Sequence, residues 1–199
     1  MALPHITNST AAINRYDPVH KSIFEVSMEL PAGLGYSDTS LLTQHVLTVG
    51  GLEALYRAPE VDSQKFMGVD RSFLKPTVGE TKASIEIEFS LNLNENNDNY
   101  ILNVFRAWAA LGHNIATGAR SRKTEYAAPW LKIRIANRAG DVYQEIIFKD
   151  VMLNGALEFD GGLDYTADDA LNLKVKLVSD WWVEQVVGYD PTTGELGKF

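Results

Sequence analysis

The stretch from Thr81 to Asn114 carries the most regular spacing of apolar and polar positions in the chain. In TKASIEIEFSLNL, Ala83, Ile85, Ile87, Phe89, Leu91 and Leu93 fall on one side of an extended strand and Ser84, Glu86, Glu88, Ser90 and Asn92 on the other, because successive strand side chains point to opposite faces. After the polar break NENNDN, the segment YILNVFRAWAAL repeats Ile101, Val104, Phe105, Trp108 and Leu111 at the spacing of one helical face. Asn97 or Asp98 is placed to cap that helix and Gly112 to end it. A long half-polar strand feeding one amphipathic helix predicts a β-rich body with a helix packed on it.

The other segments mostly alternate with period two. HKSIFEVSMELP sets Phe24, Val26, Met28 and Leu30 against Glu25, Ser27 and Glu29, with Pro31 closing the strand. SLLTQHVLTVGGL fits a helix through Leu41, Leu42, His45 and Val46 and a strand through residues 43–49; the strand, ending at Gly50-Gly51, is the expectation. WLKIRIANRAGDVYQEIIFKD reads as a hairpin with Leu131, Ile133 and Ile135 on one face and a turn from Asn137 to Asp141. VMLNGALEF is a further strand with a bulge or close approach expected at Gly155. LNLKVKLVSDWWVEQVV closes the domain, Leu171, Leu173, Val175 and Leu177 alternating with Asn172, Lys174 and Lys176. About seven or eight strands with short turns predict a mainly β fold, two packed antiparallel sheets forming a sandwich or barrel with one flanking helix.

The connection from Glu53 to Gly79 has no period. Leu55, Tyr56, Val61, Phe66, Met67, Phe73 and Leu74 make it more apolar than a solvated linker. Such a segment either orders itself on a neighbouring chain or folds back over its own subunit. Tyr56, Arg57, Phe66, Arg71 and Phe73 are its candidate contacts with another subunit or ring. With an arm over residues 1–19 and a polar tail over 188–199, the expected organisation is one domain spanning residues 1–199.

A length of 199 residues with 45% hydrophobic residues is enough for one substantial core. A net charge of −8 argues against gripping nucleic acid or an anionic membrane through a basic surface, though not against letting DNA pass. With no cysteine there are no disulfides and no thiolate metal sites. The start MALPHITNSTAAINRYDP lacks a basic region followed by an apolar run, and no stretch reaches the roughly 18 apolar residues of a membrane span, so no membrane insertion is expected. Asn8-Ser9-Thr10 is a formal glycosylation sequon that reads instead as part of a polar arm.

Signals for chemistry are sparse. His5, His20, His45 and His113 are scattered and match no metal-ligand spacing. Nucleophile elbows, Walker loops and dinucleotide fingerprints are absent, so no enzyme, cofactor or metal site is expected. The loop with Asp160, Asp164, Asp168 and Asp169 offers oxygen ligands for calcium but lacks the spacing of an EF-hand. Glu86 and Glu88 share a strand face at a separation of about 7 Å, which a glycosidase pair tolerates, but the plainer reading is a polar strand face. Trp130, Trp181 and Trp182 form either a carbohydrate platform or strand-end core packing.

The order of these pieces carries a resemblance. IFEVSMELP, a strand ending in VGGL, the alternating strand with its LNLNENN turn, the helix with LNVFRAWAAL, and IANRAGDVYQEIIFKDVMLNGALEFDGGLDY leading to a last strand before DWW together resemble the tail tube proteins of contractile-tail bacteriophages. The match runs from about Tyr16 to Val187 and is weakest between Leu52 and Thr81 and beyond Val187. Needle proteins of type VI secretion and of extracellular contractile injection systems are similar.

The resemblance implies the phage tail tube fold and hexameric rings stacked into a hollow tube that conducts DNA into the host. It implies a sheath outside, a tape measure protein and then genomic DNA in the lumen, and baseplate and tail terminator proteins at the ends. It places the protein in the virion tail after assembly in the host cytoplasm, and brings no catalytic residue or cofactor. The alternatives are an inner tube of a secretion or injection system and, in a different class, a β-sandwich carbohydrate-binding module. Barrels of about 16 to 18 strands leave an aqueous channel, so a duplex-wide lumen needs strands from several copies. In that reading Ser84, Glu86, Glu88 and Ser90, with Glu25 and Glu29 from the first strand, are candidates for the channel lining, since DNA carries about one negative charge per 1.7 Å and slides along an acidic or neutral wall. Lys132, Arg134, Lys174 and Lys176, on strand polar faces too, are expected on the outer sheet or at subunit contacts.

Overall fold

In a computed structural model of the chain, the described residues are 21–56, 61–74, 82–94, 98–113, 118, 120–138, 140–160, 170–186, 189–190 and 195–196. The proposed arm over residues 1–19 lies outside them. The strands are β1 (Phe24–Met28), β2 (Val46–Gly50), β3 (Val61–Phe66), β4 (Val69–Leu74), β5 (Ala83–Ser90), β6 (Ala128–Ala136), β7 (Val142–Leu153), β8 (Glu158–Phe159), β9 (Asn172–Ser179), β10 (Trp181–Val186), β11 (Tyr189–Asp190) and β12 (Glu195–Leu196). The helices are α1 (Ser40–Gln44), α2 (Tyr100–Gly112) and α3 (Lys123–Tyr126), with 3-10 turns at Ala32–Leu34 and Leu52–Tyr56.

The main sheet runs β1-β6-β7-β9-β5-β2, with β10 added beside β7 and β8 beside β9, and its pairs are all antiparallel. It divides into two leaves: β1-β6-β7-β10, and β2-β5-β9-β8 with the end of β7. β7 belongs to both, pairing β10 up to Lys149 and β9 at Met152 and Leu153. It changes partner across Asp150, whose φ of 52° is unusual for a side-chain-bearing residue. The last long segment breaks at Asp180, between β9 and β10, and the Asp180 amide donates to the Lys149 carbonyl at 3.3 Å.

Alternation explains why these strands form and which way they face. Val26, Met28, Ile85, Ile87, Phe89, Leu131, Ile133, Ile146, Phe148, Leu173, Val175 and Leu177 are buried in one cluster drawn from both leaves. Helix α2 completes it with Ile101, Val104, Phe105 and Trp108. The indole of Trp108 donates to the Tyr126 carbonyl at 2.6 Å, which ties α2 to α3 and satisfies the one polar group of a buried ring.

Several boundaries differ from expectation. The cap of α2 is Asn99, not Asn97 or Asp98: its side chain accepts from the Leu102 amide at 3.1 Å. Asn99→Ala leaves that amide without a partner and is expected to cost about 1 kcal/mol, read as a lower urea midpoint with unchanged m-value. Residues 40–50 hold both elements that the sequence offered, helix α1 and then strand β2. Leu93, grouped with the buried strand face, is 64% exposed because β5 ends at Ser90. VML continues β7 rather than starting a new strand, and Gly155, with φ of 86°, follows it where the chain bends toward β8.

The aperiodic connection contains a hairpin. β3 and β4 pair from Val61↔Leu74 to Phe66↔Val69 and form a sheet of their own. Met67 and Gly68 make the turn with φ of 50° and 80°, the two-positive arrangement that suits the strand twist. The expected tail over 188–199 likewise contains a short pair, β11–β12.

Candidate assembly surface and channel-lining faces

Strand β5 presents Ser84, Glu86, Glu88 and Ser90 on the face turned away from the core. Register puts each glutamate directly opposite a lysine of β9, Glu86 against Lys176 and Glu88 against Lys174. Thr48 donates to one Glu88 oxygen and Asn172 to the other, both at 3.0 Å. Lys174 pairs with Asp160 and Lys176 with Glu158, each at 2.7 Å. The hydrogen bond to Asp160 is the main cause that raises the Lys174 amine above its ordinary pKa, and the charges of Glu88 and Glu86 add to it. Lys176 is raised by its hydrogen bond to Glu158, the charge of that carboxylate and the charge of Glu86. The face is thus a ladder of alternating charge, not an acidic strip. Lysines 174 and 176 occupy the same surface as the glutamates from which the sequence reading had separated them.

Glu25 and Glu29 lie elsewhere. β1 is the far edge of the strand order, with β6, β7 and β9 between it and β5. Its outer residues continue across β6 and β7 of the other leaf. Arg134 there contacts Glu145 at 2.7 Å and Glu25 at 3.4 Å. Lys132 reaches Glu145 at 3.5 Å and lies 5.5 Å from the centre of the Trp130 ring. The structure brings together Ser84, Glu86, Glu88 and Ser90, leaves Glu25 on the outer face of the other leaf, and places exposed Glu29 one residue past the end of β1, its amide donating to the Trp130 carbonyl at 3.0 Å.

Glu145 is the hub of that second network. Burial alone would push its carboxyl up, but the Arg134 hydrogen bond and the charges of Lys132 and Arg134 together hold it below its ordinary value. A depressed folded pKa contributes stability that is present above the unfolded value, about 4.3, and is lost as pH falls through the folded one. The stability difference between wild type and Glu145→Gln is therefore expected to narrow as pH drops below about 4, read from urea midpoints across the pH series. A constant difference would mean that the network does not sense the charge of Glu145.

Of the predicted inter-subunit contacts, Arg71 and Phe73 lie on β4, and Phe73 is 51% exposed. Arg71 is exposed and pairs through its backbone with Gln64. Tyr56 ends a 3-10 turn and Phe66 ends β3, whereas Arg57 falls outside the described residues. Further exposed apolar positions of the hairpin, beyond the candidate contacts, are Val61 at 61%, Val69 at 59% and Met67 at 93%. The Met67-Gly68 turn was the available signal for them.

Among the described residues no group of three or more His, Cys, Asp or Glu is placed to hold a metal. Asp160 of the acidic loop is engaged by Lys174, and Asp164, Asp168 and Asp169 lie outside the described residues. Both Glu88 oxygens accept hydrogen bonds, so the Glu86/Glu88 pair is built into the ladder. The three tryptophans do not form one platform. Trp182 packs against the core while Trp181, its neighbour, is 44% exposed on the opposite face of β10.

No family model matches the chain, and no curated protein matches it. Solved structures do. A chain of the sheath–tube complex of an extracellular contractile injection system, PVC, in its extended state aligns with a TM-score of 0.56 at 16% identity, over 89% of this chain and 98% of the other. The chain has the tube fold of contractile injection systems. A chain of the tube-terminating cap of the anti-feeding prophage aligns at a TM-score of 0.54 and 14% identity, over 86% and 93% of the two chains. A chain of the PVC sheath/tube terminator gives the same score and identity over 86% and 99%.

Proposed function

We propose that this protein is a self-assembling structural subunit of the inner tube of a contractile tail. Copies form hexameric rings that stack into a hollow conduit inside a sheath. The observation that carries this reading is the tube fold aligned over 89% of the chain, joined to a subunit whose hairpin β3–β4 forms a sheet of its own and exposes Val61, Met67, Val69 and Phe73. A chain of this length closes too few strands for a wide channel, so the wall is shared between copies. The charge ladder of β5 and β9 is the proposed lining, because each of its cations already has a carboxylate partner and DNA finds few free amines to hold it. In a phage, the tape measure protein and then genomic DNA occupy the lumen, baseplate and terminator proteins close the ends, and the tube belongs to a virion tail assembled in the host cytoplasm. In this structural role the chain carries out no catalytic step.

The likeness to extracellular contractile injection systems favours a second reading of the same subunit, in which the tube carries a non-DNA cargo. Electron microscopy of the purified protein, with preformed tube fragments as seeds, tests the shared part: hollow rods of stacked rings are expected. A chain that stays monomeric at high concentration with seeds present overturns it. Nucleic-acid content of tubes isolated from producing cells separates a DNA-conducting tail from an injection system.

A further inference from the structure

Among the exposed apolar positions of the described residues, two groups lie on the faces of strand pairs. One is the β3–β4 hairpin, where Val69 and Phe73 are 59% and 51% exposed. They share a face with Asp62, Gln64 and Arg71, because directly paired residues and alternate residues along a strand point the same way. The other is the outer face of β10, where Trp181 and Val183, 44% and 37% exposed, stand beside Lys149 and Ile147 of β7. Each surface couples an aromatic ring to a charge across the strand pair, and the charges are opposite: Asp62 faces Phe73, and Lys149 faces Trp181. Neither Asp62 nor Lys149 has a salt-bridge partner among the described residues. On its other side Lys149 pairs with Trp130, whose ring is already approached by the Lys132 amine at 5.5 Å. The open side of the row is the Trp181 side.

We infer that the Phe73/Asp62 face of the hairpin in one copy docks on the Trp181/Lys149 row of a second copy. Phe73 packs against the indole, and the Asp62 carboxylate pairs with the Lys149 amine. This rests on the self-assembly proposed above and adds the receiving surface to it. The ring contact supplies apolar burial, while the ion pair fixes register and excludes docking one strand position away. Donor and acceptor are different surfaces of one chain, so the contact is heterologous. Every copy gives on one side and receives on the other, which closes a ring or extends a stack according to the rotation between copies.

The chain contains no cysteine, so Asp62→Cys and Lys149→Cys each introduce a single thiol. When the two variants are mixed and oxidised, pelletable assemblies are expected to give a disulfide-linked dimer on a non-reducing gel that neither variant gives alone. Lys149→Glu should lose assembly and Asp62→Lys/Lys149→Glu should regain it, both with the thermal midpoint of the wild-type subunit. Assemblies that form without the mixed disulfide, under conditions where both thiols react with a maleimide, overturn the docking assignment and leave the tube reading intact. A disulfide within each single variant overturns the heterologous arrangement. A protein that neither pellets with seeds nor cross-links overturns both readings.

Discussion

Truncating Phe105 to alanine is expected to cost about 3–5 kcal/mol, a large share of the roughly 5–15 kcal/mol that holds a domain folded. Phe105 is fully buried at the centre of the apolar face of α2. Its ring lies 5.0 Å from Phe89 on β5 and 6.1 Å from Trp108 one turn on, stacked against the latter at 14°. Removing it leaves a void bounded by a helix and a paired strand, neither of which collapses freely, so the cavity adds to the lost transfer energy. Urea denaturation followed by tryptophan fluorescence should show a lower midpoint with a similar m-value. Arg106→Ala, next in sequence but exposed, should stay within about 0.5 kcal/mol of wild type. Equal effects from both variants would mean that α2 does not dock on the sheet through the face described.

The reach of the sequence follows the range of the interactions. β5 and α2 were legible because a period of two or 3.6 is local: Ile85, Ile87 and Phe89, and Ile101, Val104, Phe105 and Trp108, are all buried where alternation put them. Residues 40–50 were ambiguous because both answers are present within eleven positions. The hairpin was missed because VDSQKF and VDRSFL do not alternate and Met-Gly is a weak turn signal beside Asn-Gly or Asp-Gly. The cap of α2 was misplaced by one or two positions because four of the residues in NENNDN are asparagine and several can cap. The composition of the polar faces was not legible, since Glu86↔Lys176 and Glu88↔Lys174 span 90 and 86 positions of chain and depend on register. That is why Lys174 and Lys176, expected away from the glutamates, stand directly opposite them.

That ladder sets the second large prediction, which concerns the channel. In Glu86→Lys/Glu88→Lys, two lysines face Lys176 and Lys174 across the strand pair, and the amines of β9 keep Asp160 and Glu158 but lose the added charges of Glu86 and Glu88. Like charges opposite one another cost about 0.2–1 kcal/mol per pair, so the subunit should still fold. The consequence for DNA is larger. Each phosphate neutralised contributes about −0.9 to the slope of log affinity against log salt, and the variant presents a cluster of amines in every copy of the ring. Assembled variant tubes are expected to retain duplex DNA at low salt, to release it steeply as salt rises, and to shield it from nuclease. Wild-type tubes should retain none. The same reversal at Glu25, on the outer face of the other leaf, and Glu29, one residue past the end of β1, should give binding that nuclease reaches. If the Glu86/Glu88 variant binds DNA that nuclease digests while Glu25/Glu29 protects it, the leaf containing β1 lines the channel instead. If neither variant holds DNA although rods form, no outer face of the sheet reaches the lumen.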